Sequence, residues 1–210
     1  MNLNDLKARY SIKKFDPDKK LSKEQIDLLI DTFHLCPSSI NIQAWKMVVV
    51  GDNILKNKIA EAGKRSNRQN IEDCSHVLIF MRRKIDMHHI NSVIETTPIF
   101  GKMIEKMNLT KSKLATFFWF NAKIWGGKSW VTHQLYLAIG FILAACAQNK
   151  IGALPMEGIF TKKIDKILKE PSHFKTVAAI AVGYPHIDDI NNPSKLQKAR
   201  LPKELVTKLI

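Results

Sequence analysis

The chain has 210 residues, of which 45% are hydrophobic and 25% are charged. This length and composition are ordinary for one globular domain and exclude a disordered, collagen-like or low-complexity chain. The 33 Lys and Arg residues outnumber the 19 Asp and Glu residues, which gives a net charge of +14. Such a charge attracts phosphates, nucleotides, nucleic acid and acidic membranes, and it does not choose among them.

Several helices are predicted in the first part of the chain. The first helix is short and ends near Arg9. Ser22, with Gln25 three residues later, has the pattern of a capping box, and apolar residues then recur at helical spacing until Pro37. Asp52 begins a further helix. The order of these elements places a polar loop between the second helix and the first strand.

Three buried strands are predicted from apolar runs at 46–50, 76–81 and 176–182. The segment 130–149 predicts a helix that is apolar on nearly every side, which must be covered by its own sheet and by a second subunit. Residues 82–129 have weaker patterning and predict a helical excursion over a pocket. Since the chain has no internal repeat and no flexible linker, residues 1–210 are predicted to form a single domain.

Several common functional motifs are absent from the sequence. It contains neither the Gly-x-Gly-x-x-Gly pattern of dinucleotide-binding folds nor a Walker loop. The histidines lack the spacing of zinc ligands, so no metal site is predicted. The three cysteines are widely spaced, which is typical of a reducing compartment. With no apolar leader and no apolar run of about 20 residues, a cytoplasmic protein without membrane insertion is predicted.

Four short segments carry the candidate chemistry. RYSIKK at 9–14 combines a guanidinium, a hydroxyl and two ammonium groups, which suits a phosphate, although a solvated basic turn is the alternative. KAR at 198–200 places two more cations on one side of an extended segment. Between them, PSSIN at 37–41 supplies hydroxyls and amides. PMEG at 155–158 predicts a rigid turn whose backbone N–H groups can point at a ligand.

In this order and at these distances, the four segments resemble the flavin-dependent, oxygen-insensitive NAD(P)H nitroreductase family. RYSIKKFD resembles the opening signature of that family, and CPSSINIQAW resembles its Ser-Pro-Ser-Ser-x-Asn-x-Gln-Pro-Trp loop. LPMEG resembles its Pro-x-Glu-Gly turn, and KARLP its closing Lys-x-Arg-Leu-Pro. The resemblance covers most of the chain. It implies an α+β, nitroreductase-like fold, with a central mixed β-sheet between helices in three α/β/α layers and an interlocked homodimer.

The resemblance also implies FMN as the cofactor and NADH or NADPH as the hydride donor. The implied cofactor-binding residues are Arg9, Tyr10, Ser11, Lys13, Pro37, Ser38, Ser39, Asn41, Asn67, Asn70, Pro155, Met156, Glu157, Gly158, Lys198 and Arg200. The FMN phosphate would be held by Arg9, Ser11, Lys198 and Arg200.

The ring of the flavin would be contacted by a second group of these residues. Lys13 would lie near N1 and O2, and Asn67 on the pyrimidine edge. A backbone N–H near Glu157 or Gly158 would donate to N5, and the segment 37–41 would come from the partner subunit. Asn70 stands where many relatives have a lysine, so one positive charge near the ring is missing.

The implied function is reduction of nitroaromatics, quinones or similar small acceptors by two-electron, ping-pong hydride transfer. The flavin carries this chemistry, so no catalytic side chain is required. Phe117 and Phe118 are candidate substrate contacts. One alternative is other flavin chemistry on the same scaffold: reductive dehalogenation, or enal, flavin or pteridine reduction. A distant alternative is a basic nucleic-acid-binding protein, but no recognisable helix-turn-helix is present, and neither nucleic acid nor membrane is predicted as a partner.

Overall fold

The structure, a computed structural model, describes residues 2–210, so Met1 of the predicted domain lies outside the description. The helices are α1 (Leu3–Ala8), α2 (Lys23–His34), α3 (Asn53–Ala60), α4 (Asn67–Asp73), α5 (Met87–Thr96), α6 (Pro98–Lys106), α7 (Lys111–Ile124), α8 (Lys128–Gln148), α9 (Thr161–Leu168) and α10 (Lys203–Val206). The strands are β1 (Trp45–Val50), β2 (His76–Arg83), β3 (Gly152–Met156) and β4 (Phe174–Gly183).

The four strands form one sheet in the order β1-β2-β4-β3, and each neighbouring pair is antiparallel. Ser11 adds one parallel bridge, to Ala153 of β3. The predicted mixed sheet is therefore corrected to an antiparallel sheet with a single parallel bridge. β3 is also a strand where the sequence predicted only a turn. Pro155 of β3 lies opposite Ile180 of β4. Proline has no N–H to donate to a neighbouring strand, and it is tolerated here because β3 is an edge strand.

Alternate residues of β2 enter two separate apolar cores, as the pleat of a strand dictates. Val77 and Ile79 belong to a first core with residues of α3, α4 and α9. Leu78 and Phe80 belong to a second core with residues of α2 and α8. The sheet is thus covered by helices on both faces, which confirms the predicted three layers.

The helices α2 and α3 begin at the side chains that were predicted to cap them. The Ser22 hydroxyl accepts from the Gln25 backbone N–H at 3.3 Å, and the Gln25 side chain accepts from the Ser22 N–H at 2.9 Å. The Asp52 carboxylate accepts from the backbone N–H of Leu55 at 2.8 Å, so α3 begins where predicted. Each contact satisfies a backbone donor that the first turn of a helix leaves unpaired.

Between β2 and α8 the chain forms α5, α6 and α7, which enclose a third apolar core. The rings of Phe100 and Phe118 lie there with centroids 5.0 Å apart. The buried His89 places Nε2 2.7 Å from the carbonyl oxygen of Ile42, and so joins α5 to the loop before β1. Burial lowers the pKa of His89, which favours the neutral imidazole.

The helix α8 has one packed side and one exposed apolar side. Leu135 and Ile142 are fully buried in the second core, whereas Leu137 and Phe141 are exposed. By length and composition alone α8 could cross a membrane, but its packing against α2 and β2 is that of a core helix. The prediction that the sheet of the same subunit covers part of this helix is therefore confirmed.

Candidate functional site

Two distant segments of the chain meet in a cluster of cations. Arg9 follows α1 directly, because the helix ends there with Arg9 in extended conformation. Lys198 and Arg200 come from the segment before α10. A cavity of about 420 Å³ separates the two segments, and it is lined by Arg9, Tyr10, Ser11, Asn191, Pro193, Leu196, Gln197, Lys198, Ala199 and Arg200. The structure thus brings together the four residues predicted to hold a phosphate.

The charges in this cluster repel one another. Burial lowers the pKa of Arg9, and the positive charge of Arg200 lowers it further. Burial, Arg9 and Arg200 together lower the pKa of Lys198. Within residues 2–210, none of these three cations forms a salt bridge, and the ammonium of Lys198 donates to the Leu6 carbonyl oxygen at 2.5 Å instead. An uncompensated cluster of this kind is an anion-binding arrangement.

A buried carboxylate holds the backbone of this cluster in place. Asp189 is 0% exposed, and its Oδ1 accepts from the backbone N–H groups of Lys13 at 3.1 Å and of Asn191 at 3.2 Å. The Asn191 side chain donates to the Ser11 carbonyl oxygen at 3.0 Å. These contacts tie the N-terminal segment to the C-terminal one. Sequence reasoning missed Asp189, although Asp188 and Asp189 are the acidic residues of the stretch 184–203.

The strand β3 joins the cation cluster to the predicted turn at 157–158. The backbone N–H of Ile12 donates to the carbonyl oxygen of Ala153 at 3.3 Å, so the segment 9–14 runs beside β3. The strand then ends at Met156, whose side chain is buried in the first core. Pro155 is exposed. The turn therefore begins at Glu157, two residues later than the sequence predicted.

Asn67 and Gly158, both predicted to contact a flavin ring, lie in direct contact. The Asn67 side chain donates to the carbonyl oxygen of Gly158 at 3.0 Å, and the backbone N–H of Lys64 donates to the same oxygen at 2.9 Å. A Cβ added at position 158 would lie 2.7 Å from the Asn67 nitrogen, so the approach requires glycine. The start of α4 and the turn after β3 thus form one corner of the site.

Comparison with known proteins shows which family the chain belongs to. The model of the Nitroreductase family matches residues 6–184. The chain belongs to the nitroreductase family. It is 31% identical over 207 residues to the "Major NAD(P)H-flavin oxidoreductase" of Aliivibrio fischeri, covering 96% of this chain and 92% of that protein. It is 28% identical over 205 residues to the "Oxygen-insensitive NAD(P)H nitroreductase" of Salmonella typhimurium, covering 93% of each.

A solved structure of the same fold contains a flavin. It is a protein of Exiguobacterium sibiricum in complex with FMN, which superposes with a TM-score of 0.74 at 19% identity over 99% of this chain and 96% of that one. At this level of identity, the superposition shows the fold. It supports the predicted nitroreductase-like architecture of the chain.

Asn70, which was predicted as a ring contact, faces the interior. Its side chain is 3% exposed and donates to the carbonyl oxygen of Ser66, the residue before α4, at 2.9 Å. Lys13, by contrast, has an exposed side chain. Of these two predicted ring contacts, Lys13 is free to reach a ligand. The amide of Asn70 instead donates to a backbone carbonyl.

The loop 37–41 contacts elements other than the cation cluster. The side chain of Gln134 on α8 accepts from the Ser39 backbone N–H at 2.8 Å. The Asn41 side chain donates to the Thr97 hydroxyl at 3.0 Å, and Asn41 itself has a positive φ of 53°. Asn is one of the few non-glycine residues that adopt this conformation readily. The loop is thus fixed against α8 and the start of α6.

The two predicted substrate contacts have different surroundings. Phe118 is 6% exposed and is packed in the third core, whereas Phe117 is 57% exposed. Successive helical residues point about 100° apart, so both rings cannot enter one core. Only Phe117 of this pair is accessible to a ligand.

A tyrosine that the sequence analysis did not select contacts the turn. The Tyr136 hydroxyl on α8 donates to the carboxylate of Glu157. Burial, together with this hydrogen bond, raises the pKa of Tyr136 to about 12. The contact joins α8 to the corner formed by Asn67 and Gly158. No sequence motif marks Tyr136. It stands among the apolar residues of α8, and the sequence does not show that its hydroxyl contacts a residue 21 positions away.

Proposed function

We propose that this chain is an FMN-dependent NAD(P)H oxidoreductase that reduces small organic acceptors. The observation that carries the proposal is the cavity beside Arg9, Lys198 and Arg200, where three cations have no salt bridge within the described residues. A phosphate monoester would relieve their repulsion, because a dianion forms charge-assisted hydrogen bonds with guanidinium and ammonium groups. The NAD(P)H-flavin oxidoreductase and the NAD(P)H nitroreductase to which the chain is similar support a flavin and a nicotinamide donor.

The other residues of the site would position the ring of the cofactor. Ser11 and Lys13 lie on the segment that runs beside β3, and the turn at 157–158 lies at the end of that strand. Asn67 stands against this turn and offers an amide to the edge of a heterocycle. When bound, the flavin supplies two-electron transfer from NADH or NADPH to the acceptor in a ping-pong cycle, and the chain binds, orients and shields it.

The active unit is a homodimer, with the exposed side of α8 in its interface. That side presents an apolar cavity of about 520 Å³ lined by Thr32, Leu137, Gly140, Phe141, Ala144, Ala145 and Gln148. An apolar surface of this kind is typical of a protein interface. The adjacent loop 37–41, held against α8 by Gln134, would then reach the flavin of the partner and supply Pro37, Ser38, Ser39 and Asn41.

The acceptor is a nitroaromatic, a quinone or a similar small molecule, and the protein acts in the cytoplasm. Phe117, exposed on α7, is the candidate contact for the acceptor. Reductive dehalogenation and enal, flavin or pteridine reduction use the same cofactor site, so a panel of acceptors is needed to separate them. If the protein reduces one of those classes of acceptor but neither nitro compounds nor quinones, that class is its substrate.

The decisive experiment is spectroscopic. The purified protein is titrated with FMN, and NADH or NADPH is then added under anaerobic conditions. We expect a bound flavin band near its usual visible position, bleached by the nicotinamide and restored by a nitroaromatic or a quinone. A protein that does not bind FMN at micromolar concentration would overturn the proposal. Salt-sensitive nucleic-acid binding would then be the next activity to measure.

A further inference from the structure

A third cavity lies away from the residues assigned to the flavin. It has a volume of about 270 Å³, at the lower limit of small-molecule sites, which usually begin near ~300 Å³. We name it the Trp119 pocket. It is lined by Arg82, Arg83, Lys84, Ile85, Trp119, Ala122, Lys123, Gly127, Lys128 and Val131. The end of β2, the second half of α7 and the start of α8 enclose it.

The Trp119 pocket has a mainly apolar surface, and basic residues surround it. Five of its ten lining residues are Arg or Lys, and none is Asp or Glu. Asp86 is the acidic side chain paired with this group, and its carboxylate lies 3.9 Å from Arg83 Nη2. Lys84, Lys123 and Lys128 are exposed, so their ammonium groups attract an anion to the mouth of the pocket.

The floor of the Trp119 pocket is apolar and partly aromatic. Ala122 and Val131 belong to the third core and close the bottom. The indole of Trp119 packs against the same core, and the ammonium of Lys123 lies 3.5 Å from its ring centroid. This cation–π contact holds a positive charge beside a flat apolar surface. The combination suits a ligand that has both a planar apolar body and a negative charge.

The Trp119 pocket shares no lining residue with the cavity on α8 that we place in the dimer interface. On α8 the pocket is lined by Lys128 and Val131, whereas that cavity is lined from Leu137 onward.

We propose that the Trp119 pocket binds a small organic anion, with one planar ring on the apolar floor and a carboxylate or phosphate group against Lys123 and Lys128. The ring would lie against Ala122 and Val131 of the floor. The charged group would accept from the two ammonium groups. This site is separate from the proposed flavin site and does not depend on it.

Calorimetry on the FMN-loaded protein tests this proposal. The probes are salicylate, phenyl phosphate and neutral salicylamide, and the flavin absorption spectrum is recorded in parallel to detect any probe that stacks on the flavin. The pocket variant carries Lys123→Glu and Lys128→Glu. The matched control carries Lys102→Glu and Lys106→Glu, two exposed lysines of α6 with the same change of charge. All four lysines are exposed, so both variants should stay folded, and their unfolding temperatures are compared with that of the unaltered protein.

We expect both anions to bind the unaltered protein and the control without a flavin spectral change, and to bind the pocket variant at least about tenfold more weakly. The tighter of the two anions identifies the charged group that the site prefers. Equal binding by pocket variant and control would refute the proposal, as would salicylamide binding as tightly as salicylate. Displacement of salicylate by a single-stranded oligonucleotide at far lower concentration would assign the surface to nucleic acid instead and also overturn it.

Discussion

The carboxamide nitrogen of Asn67 lies 3.0 Å from the carbonyl oxygen of Gly158, a residue 91 positions away in the chain. The contact joins the first residue of α4 to the turn that follows β3. Because a Cβ at position 158 would approach this nitrogen to 2.7 Å, the amide can hold its position only if residue 158 is glycine. The two residues that we assign to the flavin ring therefore depend on each other.

Gly158→Ala should weaken FMN binding by roughly two- to tenfold, the value of one lost hydrogen bond. The matched control is Gly101→Ala on α6, where an added Cβ has no neighbour within 4 Å and should leave FMN binding unchanged. Quenching of FMN fluorescence measures both affinities. In the double variant Asn67→Ala/Gly158→Ala the effects should be less than additive, since each change removes the same contact. Unchanged FMN affinity in Gly158→Ala would contradict the assignment.

Asp189→Ala should destabilise the protein by about 3 kcal/mol, because it removes a buried acceptor of two backbone hydrogen bonds. Asp189→Asn retains an oxygen at the same place and should cost clearly less. Urea unfolding measures the two free energies, and FMN titration shows whether the cation cluster is disturbed. If alanine and asparagine variants were equally stable, the carboxyl oxygen would not be holding the backbone of Lys13 and Asn191.

The local signals of the sequence predicted much of the fold. The Ser22 and Gln25 capping box, the Asp52 cap and the three apolar strands depend on residues a few positions apart, so a pattern can reveal them. β3 was missed because its five residues include Pro155 and have no extended β-branched run. The sequence carries no signal for the edge position that makes this proline acceptable.

The candidate site was predictable only through motifs. Arg9 and Arg200 were paired on the resemblance to a family, and the structure places both beside one cavity. The contact between Asp189 and Lys13 spans 176 residues, and a backbone N–H donor leaves no trace in the sequence. The orientation of Phe118 towards the third core was likewise unpredictable, because a run of four aromatic residues does not state which of them faces inward.

Lys198→Ala and Arg200→Ala should each weaken FMN binding by about ten- to a hundredfold, as expected for a lost hydrogen bond to a charged group. Lys203→Ala on α10 removes the same charge from an exposed position and serves as the control. FMN titration at two salt concentrations separates direct contact from general attraction. Equal losses in Lys203→Ala and Lys198→Ala would mean that only the overall charge of the protein matters.

Phe141→Glu should convert the proposed dimer to a monomer and reduce FMN retention, because a charge would be buried in the apolar interface of α8. The control is Ile54→Glu, which places the same charge on an exposed apolar residue of α3. Light scattering coupled to size-exclusion chromatography gives the mass of each variant. A Phe141→Glu protein that stayed dimeric with full flavin content would exclude this side of α8 from the interface.

Tyr136→Phe should remove a pH-dependent part of the stability at alkaline pH. The pKa of Tyr136 is raised from 10.0 to about 12, so the folded protein holds the phenolic proton more tightly than the unfolded chain. The corresponding stabilisation is complete below pH 10 and is lost as the pH rises towards 12. Urea unfolding between pH 9 and pH 12 should therefore show a steeper fall for the unaltered protein than for Tyr136→Phe. Absorbance at 295 nm should show one fewer phenol with a raised pKa in the variant. If the free energies of unfolding of the two proteins fell in parallel with pH, the coupling between Tyr136 and Glu157 would be refuted.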